Sequence, residues 1–318
     1  MGRKPIQLNH IQGIAMSTAV CIPSTFDAAT LFKVNGLVAV VTGAGSGLGR
    51  TIALALAYNG SARVYLLGRR LDKLQETISL GPGGSAAARG NMIPLQVDVT
   101  DKDKLAAATA QIAADVGFIH LLVVNAGVPG PDLLGLDVTH PSPGQLQDYV
   151  LSAWSNEDFL RPFATNVTGS YFTCAAFLDL LDKGNSSENR LPGITSQVIV
   201  NSSVSAYLRN MPGTGDIAYA TSKAAVNQMF KLLSTYFVRY QIRVNLLNPG
   251  VFPSEMTAPL FADDKSGLGA SRLPAKRYGE EADLAGAVLY LASRAGAYVN
   301  GLSLVVDGGL VGILPSTY

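Results

Sequence analysis

The chain is short of the features that would tie it to a metal, a membrane or a nucleic acid. Its two cysteines, Cys21 and Cys174, stand far apart without a ligand-type neighbour pattern. Neither a disulfide framework nor a thiol metal site is expected, and reduced thiols in a reducing compartment are the default. Charged residues make up 15% of the sequence and balance to a net charge of +1, with no long basic run. That excludes the electrostatic footprint of nucleic-acid binding or of an acidic membrane surface. No apolar run is long and uninterrupted enough for a membrane span. No secretion signal is read, so the sequons at Asn166, Asn185 and Asn201 carry no weight, and the expected location is the cytoplasm.

Apolar residues are plentiful, 48% of the 318 residues, enough to bury a sizeable core. They fall into a regular alternation. Apolar runs at Leu37–Thr42, Arg63–Gly68, Met92–Val97, Leu121–Asn125, Gln197–Ser202, Arg243–Asn248 and Leu302–Asp307 read as strands. Helical patterns lie between them, over Leu48–Tyr58, "LDKLQETISL", "DKDKLAAATAQIAADV", Ser155–Lys183, Ala218–Tyr240 and Asp283–Ala292. The pattern from Ser155 opens with a capping-box spacing to Asp158. Continuous apolar strands alternating with amphipathic helices predict an α/β fold, one doubly wound parallel sheet with helices on both faces. Such sheets bind ligands at the carboxyl ends of their strands. Residues 1–30 have weak periodicity and too few arginines for a transit peptide. They are expected to be a mobile N-terminal extension, or to lie upstream of a start at Met16. Residues 31–318 are expected to form a single domain with a short tail from Leu314.

Two stretches carry chemistry. "TGAGSGLG", Thr42 to Gly49, follows the first strand and opens a helix. Its glycines let backbone approach a pyrophosphate, and the helix N-terminus offers N–H groups and a positive dipole end. The spacing, through Gly43, Gly47 and Gly49, is not the usual G-x-G-x-x-G. "AYATSK", Ala218 to Lys223, puts Tyr219 and Lys223 one helical turn apart on one face.

Together these motifs resemble the short-chain dehydrogenase/reductase family, and the resemblance covers roughly residues 31–310. It extends through "DVT" at Asp98–Thr100, "NAG" at Asn125–Gly127, "NVTG" at Asn166–Gly169, "SSV" at Ser202–Val204, "NPG" at Asn248–Gly250 and "DGG" at Asp307–Gly309. The family implies a Rossmann-type fold and hydride transfer between a nicotinamide and a carbonyl or carbinol carbon. It implies Tyr219 as general acid/base and Lys223 as the cation that lowers its pKa and holds the nicotinamide ribose. Ser203 would bind the substrate carbonyl oxygen, with Ser202 as the alternative, and Asn166 would link the lysine to a water relay. The interval from Ser203 to Tyr219 is longer than is usual, so "YLRNMPGTGD" is an extended loop beside the substrate.

The cofactor set implied by the resemblance is Gly43, Ser46, Gly47, Leu48 and Gly49 of the turn, with Asp98 and Val99 near the adenine. Asn125, Ala126 and Gly127 would lie under the cofactor, and Pro249, Gly250, Val251 and Ser254 near the nicotinamide, together with Tyr219 and Lys223. At the end of the second strand an NAD enzyme places an acid, but here Gly68 stands there, followed by Arg69 and Arg70. Guanidinium suits a 2′-phosphate, so the expected cofactor is NADP(H), with Arg69 the principal contact.

"FPSEMT", in the loop after "NPG", is similar to reductases of fatty-acyl and fungal secondary-metabolite type. Leu133, Leu134, Trp154, Tyr207, Met211, Phe252 and Met256 could line an apolar pocket, which points to a bulky ketone or secondary alcohol as substrate. Two other readings on the same fold are a redox-silent cyclase or isomerase and a cofactor-sensing binding protein. The family also implies a homo-oligomer, a tetramer or dimer. In the helix after "YATSK" an apolar stripe, Ala225, Met229, Leu232, Leu233, Tyr236 and Phe237, could face a partner copy or the core.

Overall fold

A computed structural model describes residues 26–82, 91–133, 136, 141–209, 216–258 and 269–318. The seven expected strands form, each within a residue or two of its expected bounds: β1 Val38–Thr42, β2 Arg63–Gly68, β3 Met92–Gln96, β4 Leu121–Val124, β5 Gln197–Asn201, β6 Arg243–Pro249 and β7 Ser303–Val306. They make one parallel sheet in the order β3-β2-β1-β4-β5-β6-β7. The β2–β3 register sets Leu66 opposite Pro94 on the outer edge strand.

Helices cover both faces: α1 Ala28–Leu31, α2 Gly47–Tyr58, α3 Leu71–Ser79, α4 Lys102–Asp115, α5 Pro143–Ala153, α6 Asn156–Pro162, α7 Ser170–Lys183, α8 Ile217–Tyr236 and α9 Glu281–Ala292. Successive strand residues point to opposite faces. Ala39 and Val41 of β1 therefore pack with Ile52 and Leu56 of α2 and with Leu284 and Val288 of α9. Val38 and Val40 pack on the other side with Ile112 of α4, Phe177 of α7 and Phe230 of α8.

Three expectations about elements change. The pattern over Ser155–Lys183 is not one α-helix. Its reciprocal Ser155–Asp158 capping box forms, but Pro162 ends the first segment. Phe163–Gly169 then winds as a π-helix before α7 begins. Proline supplies no N–H to the helical ladder, and wide turns of this kind recur at functional sites. Second, a helix absent from the expected set, α5, forms between β4 and Ser155, behind a Ser142–Gln145 capping box with Pro143 at its first turn. Third, the final residues are not a loose tail. Leu208 and Ser316 form an antiparallel bridge, Arg209 N donates to Pro315 O at 2.8 Å, and Thr317 N donates to Tyr207 O at 2.9 Å.

The expected extension lies mostly outside the described residues; within it, Asp27 caps α1 by accepting from Thr30 N at 2.9 Å. The strand order reverses between β1 and β4, which opens a crevice at their carboxyl ends.

Candidate active site

The crevice is a cleft of about 830 Å³. One wall is the turn between β1 and α2. Gly43 and Gly47 hold positive φ, 67° and 51°. Gly49 admits no side chain, because a Cβ there would stand 2.2 Å from Gly43 O and 2.4 Å from Asn125 Nδ2. Asn125 ties the turn to β4, donating from Nδ2 to Thr42 O at 2.9 Å and Gly43 O at 3.3 Å. Thr42 Oγ1 in turn accepts from Asn125 N and Ala126 N at 2.9 and 3.0 Å. The Ser46 side chain does not cap α2, so the first-turn N–H groups of that twelve-residue helix stay available to an anion.

The second wall carries the tyrosine and lysine. Lys223 is buried, its Nζ lies 5.6 Å from the Tyr219 ring centroid, and it donates to Asn201 O at 3.0 Å. Ser203 stands close enough to the Tyr219 phenol to ease its pKa down, and its Oγ accepts from Ser205 N at 3.1 Å. Ser202 Oγ donates to Lys223 O at 3.4 Å, so of the two serines Ser203 is the one that acts on the phenol.

Burial pushes the Tyr219 phenol up to about 12. Ser203 eases it down and the Asp216 carboxylate adds a smaller upward push. Loss of hydration alone moves the Lys223 ammonium down to about 8. Against expectation, the phenol is raised rather than lowered: burial dominates, and Ser203 rather than Lys223 is the group that pulls it down.

Asn166 lies behind the cleft. It accepts from Val128 N at 2.9 Å and donates to Val128 O at 3.1 Å and Ser222 Oγ at 3.0 Å. It meets Lys223 only across Gly127, where a Cβ would sit 3.2 Å from Asn166 Oδ1 and 3.6 Å from Lys223 Nζ.

Every other residue of the expected cofactor set, from Gly43 to Ser254, lines the cleft, including Leu48, Val99, Ala126, Pro249, Gly250 and Val251. Asp98 loses hydration, but two hydrogen bonds from Thr100, helped by Arg69, leave its carboxyl below the usual range. Arg70 donates from Nη2 to Glu255 Oε2 at 2.8 Å and to Ser46 Oγ at 3.1 Å. The donors and glycine contours fit a dinucleotide: backbone N–H groups for the pyrophosphate, Asp98 for the adenine end, two arginines at the end of β2.

Comparison with known proteins agrees. A family model described as enoyl-(acyl carrier protein) reductase matches residues 43–311. Short-chain dehydrogenase/reductase PhomF of Diaporthe leptostromiformis is 42% identical over 297 residues, covering 92% of this chain and 97% of its own. Short-chain dehydrogenase/reductase VdtF of Byssochlamys spectabilis is 40% identical over 309 residues, covering 92% and 98%. The crystal structure of a gluconate 5-dehydrogenase from Burkholderia cenocepacia J2315, in complex with NADP and tartrate, superposes with a TM-score of 0.71 at 28% identity, covering 91% of this chain and all of that one.

The chain belongs to the short-chain dehydrogenase/reductase family. As a member it is an oxidoreductase with a nicotinamide cofactor and a small-molecule substrate. No helix of the described residues is long and apolar enough to cross a membrane.

The substrate end of this dehydrogenase/reductase differs from the expected apolar lining. Phe252 and Met256 line the cleft, joined by Leu208 and Leu310. Trp154 instead packs edge-on to Tyr149, with centroids 6.5 Å apart, and Tyr207 packs on Tyr318 at 5.1 Å. Leu133 is not in the lining, and Leu134 and Met211 lie outside the described residues.

Two acids escaped the sequence reading. Asp216 caps α8 by accepting from Tyr219 N at 2.9 Å, and it also accepts from Gly130 N at 3.3 Å in the loop after β4. Its position three residues before Tyr219 is an N-cap signal that could have found it. Glu255 sits in "FPSEMT", and only the fold brings it to Arg70.

Proposed function

We propose that this chain is an NADP(H)-dependent reductase of ketones, reversible as a secondary-alcohol dehydrogenase, with Tyr219 as general acid/base. The observation that carries the reading is that Ser203, Tyr219 and Lys223 line one cleft, with Lys223 Nζ 5.6 Å from the Tyr219 ring centroid. A bound NADP(H) would supply or accept the hydride. Tyr219 Oη gives its proton to the oxygen of the carbonyl as charge develops there, and Ser203 Oγ orients that oxygen. Lys223 stabilises the phenolate left behind, which becomes more favourable as the site closes against water. Asn166 holds Val128 and Ser222, and so fixes the loop after β4 against α8.

Arg69 and Arg70, with Gly68 in place of an acid, support NADP(H), as does the NADP bound in the Burkholderia structure. Phe252, Met256, Leu208 and Leu310 support a bulky apolar ketone. Relatives of fungal origin at about 40% identity support a place in secondary metabolism. A cytoplasmic location, a catalytic domain over residues 31–318 behind an N-terminal extension, and assembly as a tetramer or dimer complete the reading.

The test is NADPH oxidation against ketones running from acyl thioesters through cyclic and aromatic to steroid-like compounds. Turnover with at least one is expected. Tyr219→Phe should lower kcat by ~10²-fold or more while leaving NADPH affinity unchanged. Turnover retained in Tyr219→Phe would overturn the role of the tyrosine. Tight NADPH binding without consumption across the panel would overturn the reductase.

A further inference from the structure

Three segments far apart in sequence meet over the cofactor end of the cleft. Ser46 comes from the glycine turn, Arg70 from the end of β2, and Glu255 from the loop after β6. They close a triangle: Arg70 Nη2 to Glu255 Oε2 at 2.8 Å, Arg70 Nη2 to Ser46 Oγ at 3.1 Å, and Ser46 Oγ to Glu255 Oε2 at 3.2 Å. All three line the same cleft. Beside them the loop touches the turn, since a Cβ on Gly47 would lie 3.2 Å from Ser254 Cβ. The Glu255 carboxyl is held below its usual range first by the Arg70 hydrogen bond, with help from Ser46 and Lys73.

We infer that Glu255 tunes the cofactor preference of this site by competing with a ribose 2′-phosphate for Arg70. This deepens the reading above and rests on its dinucleotide groove. The guanidinium at the end of β2 is the group a 2′-phosphate needs, and in this chain a carboxylate from another loop already holds it. The pair is exposed, 53% and 57% for the two side chains, so it is weak enough to exchange. A doubly charged phosphate takes the guanidinium from a single carboxylate through charge-assisted, bidentate hydrogen bonds. A ribose hydroxyl does not. NADPH therefore breaks the Arg70–Glu255 pair, while NADH leaves it standing.

The experiment measures dissociation constants of NADPH and NADH by the change in nicotinamide fluorescence, for wild type, Glu255→Gln, Arg70→Gln and the double variant. Both positions are on the surface, so folding is not at risk. Glu255→Gln should tighten NADPH by up to ~fivefold, the worth of an exposed ion pair, and should not tighten NADH. Arg70→Gln should weaken NADPH, and in its background Glu255→Gln should have no effect on NADPH. The inference is overturned if Glu255→Gln leaves NADPH unchanged, tightens both cofactors equally, or acts as strongly without Arg70. A wild type that binds NADH as tightly as NADPH overturns the NADP(H) reading, and the response of NADPH to Glu255→Gln still decides the role of Glu255.

Discussion

Asp216 stands three residues ahead of Tyr219 and does two jobs, capping α8 and holding Gly130 of the loop after β4. Burial pushes its carboxyl from 3.8 up to about 6, opposed by those two hydrogen bonds, with Asp132 adding to the rise and Arg161 opposing it. A carboxyl whose folded pKa is raised favours the fold when protonated. Its contribution is therefore present below about 4 and lost as pH rises to about 6. At about 1.4 kcal/mol per unit this amounts to at most ~3 kcal/mol. Asp216→Asn keeps one acceptor oxygen and cannot ionise. Wild type minus variant stability, from denaturant melts between pH 3.5 and 7, should fall across that window. A flat difference would show that Asp216 ionises without cost. The variant also removes the carboxylate that pushes Tyr219 upward, so the alkaline limb of its pH–rate profile should move to lower pH.

At the scale of elements, the final residues back the segment after β5, whose Val204, Ser205 and Leu208 line the cleft. Deleting residues 314–318 removes the hydrogen bonds from Arg209 N and Thr317 N and the Tyr318 ring on Tyr207. The ketone KM should rise several-fold with NADPH affinity unchanged; an unchanged KM would mean the final residues only decorate the surface. None of this was legible in the sequence, because "LPSTY" has no strand-like alternation and its partner lies a hundred residues away. The central strands β1, β4, β5 and β6 were legible because they are buried along their whole length and so read as largely apolar runs, and the part-exposed edge strands β3 and β7 followed from the alternation with helices. The π-turn around Asn166 was not, since its apolar spacing still resembles that of an α-helix. Residues held by short-range geometry, such as the glycine turn and the Tyr219–Lys223 pair, could be named in advance. Glu255 could not, because its role depends on which loop folds over which strand end.

For the whole molecule, the apolar stripe of α8 divides. Phe237 is buried, and Met229 and Leu233 pack on the core, whereas Leu232 and Tyr236 are exposed at 62% and 51%. Leu160 and Tyr171, on α6 and α7, are also exposed. A dimer or tetramer built on this surface is expected by light scattering, and Leu232→Asp should shift it toward monomer. A monomeric wild type would refute the assembly.

The sheet has one further property at its outer edge. Asn91 O and Val97 N both bond to β2, so Pro94, out of phase with them, turns its nitrogen outward. The position offers no N–H to an approaching strand. An unpaired sheet edge is a template for strand addition, and a single imino acid here removes one of the donors that such an addition needs.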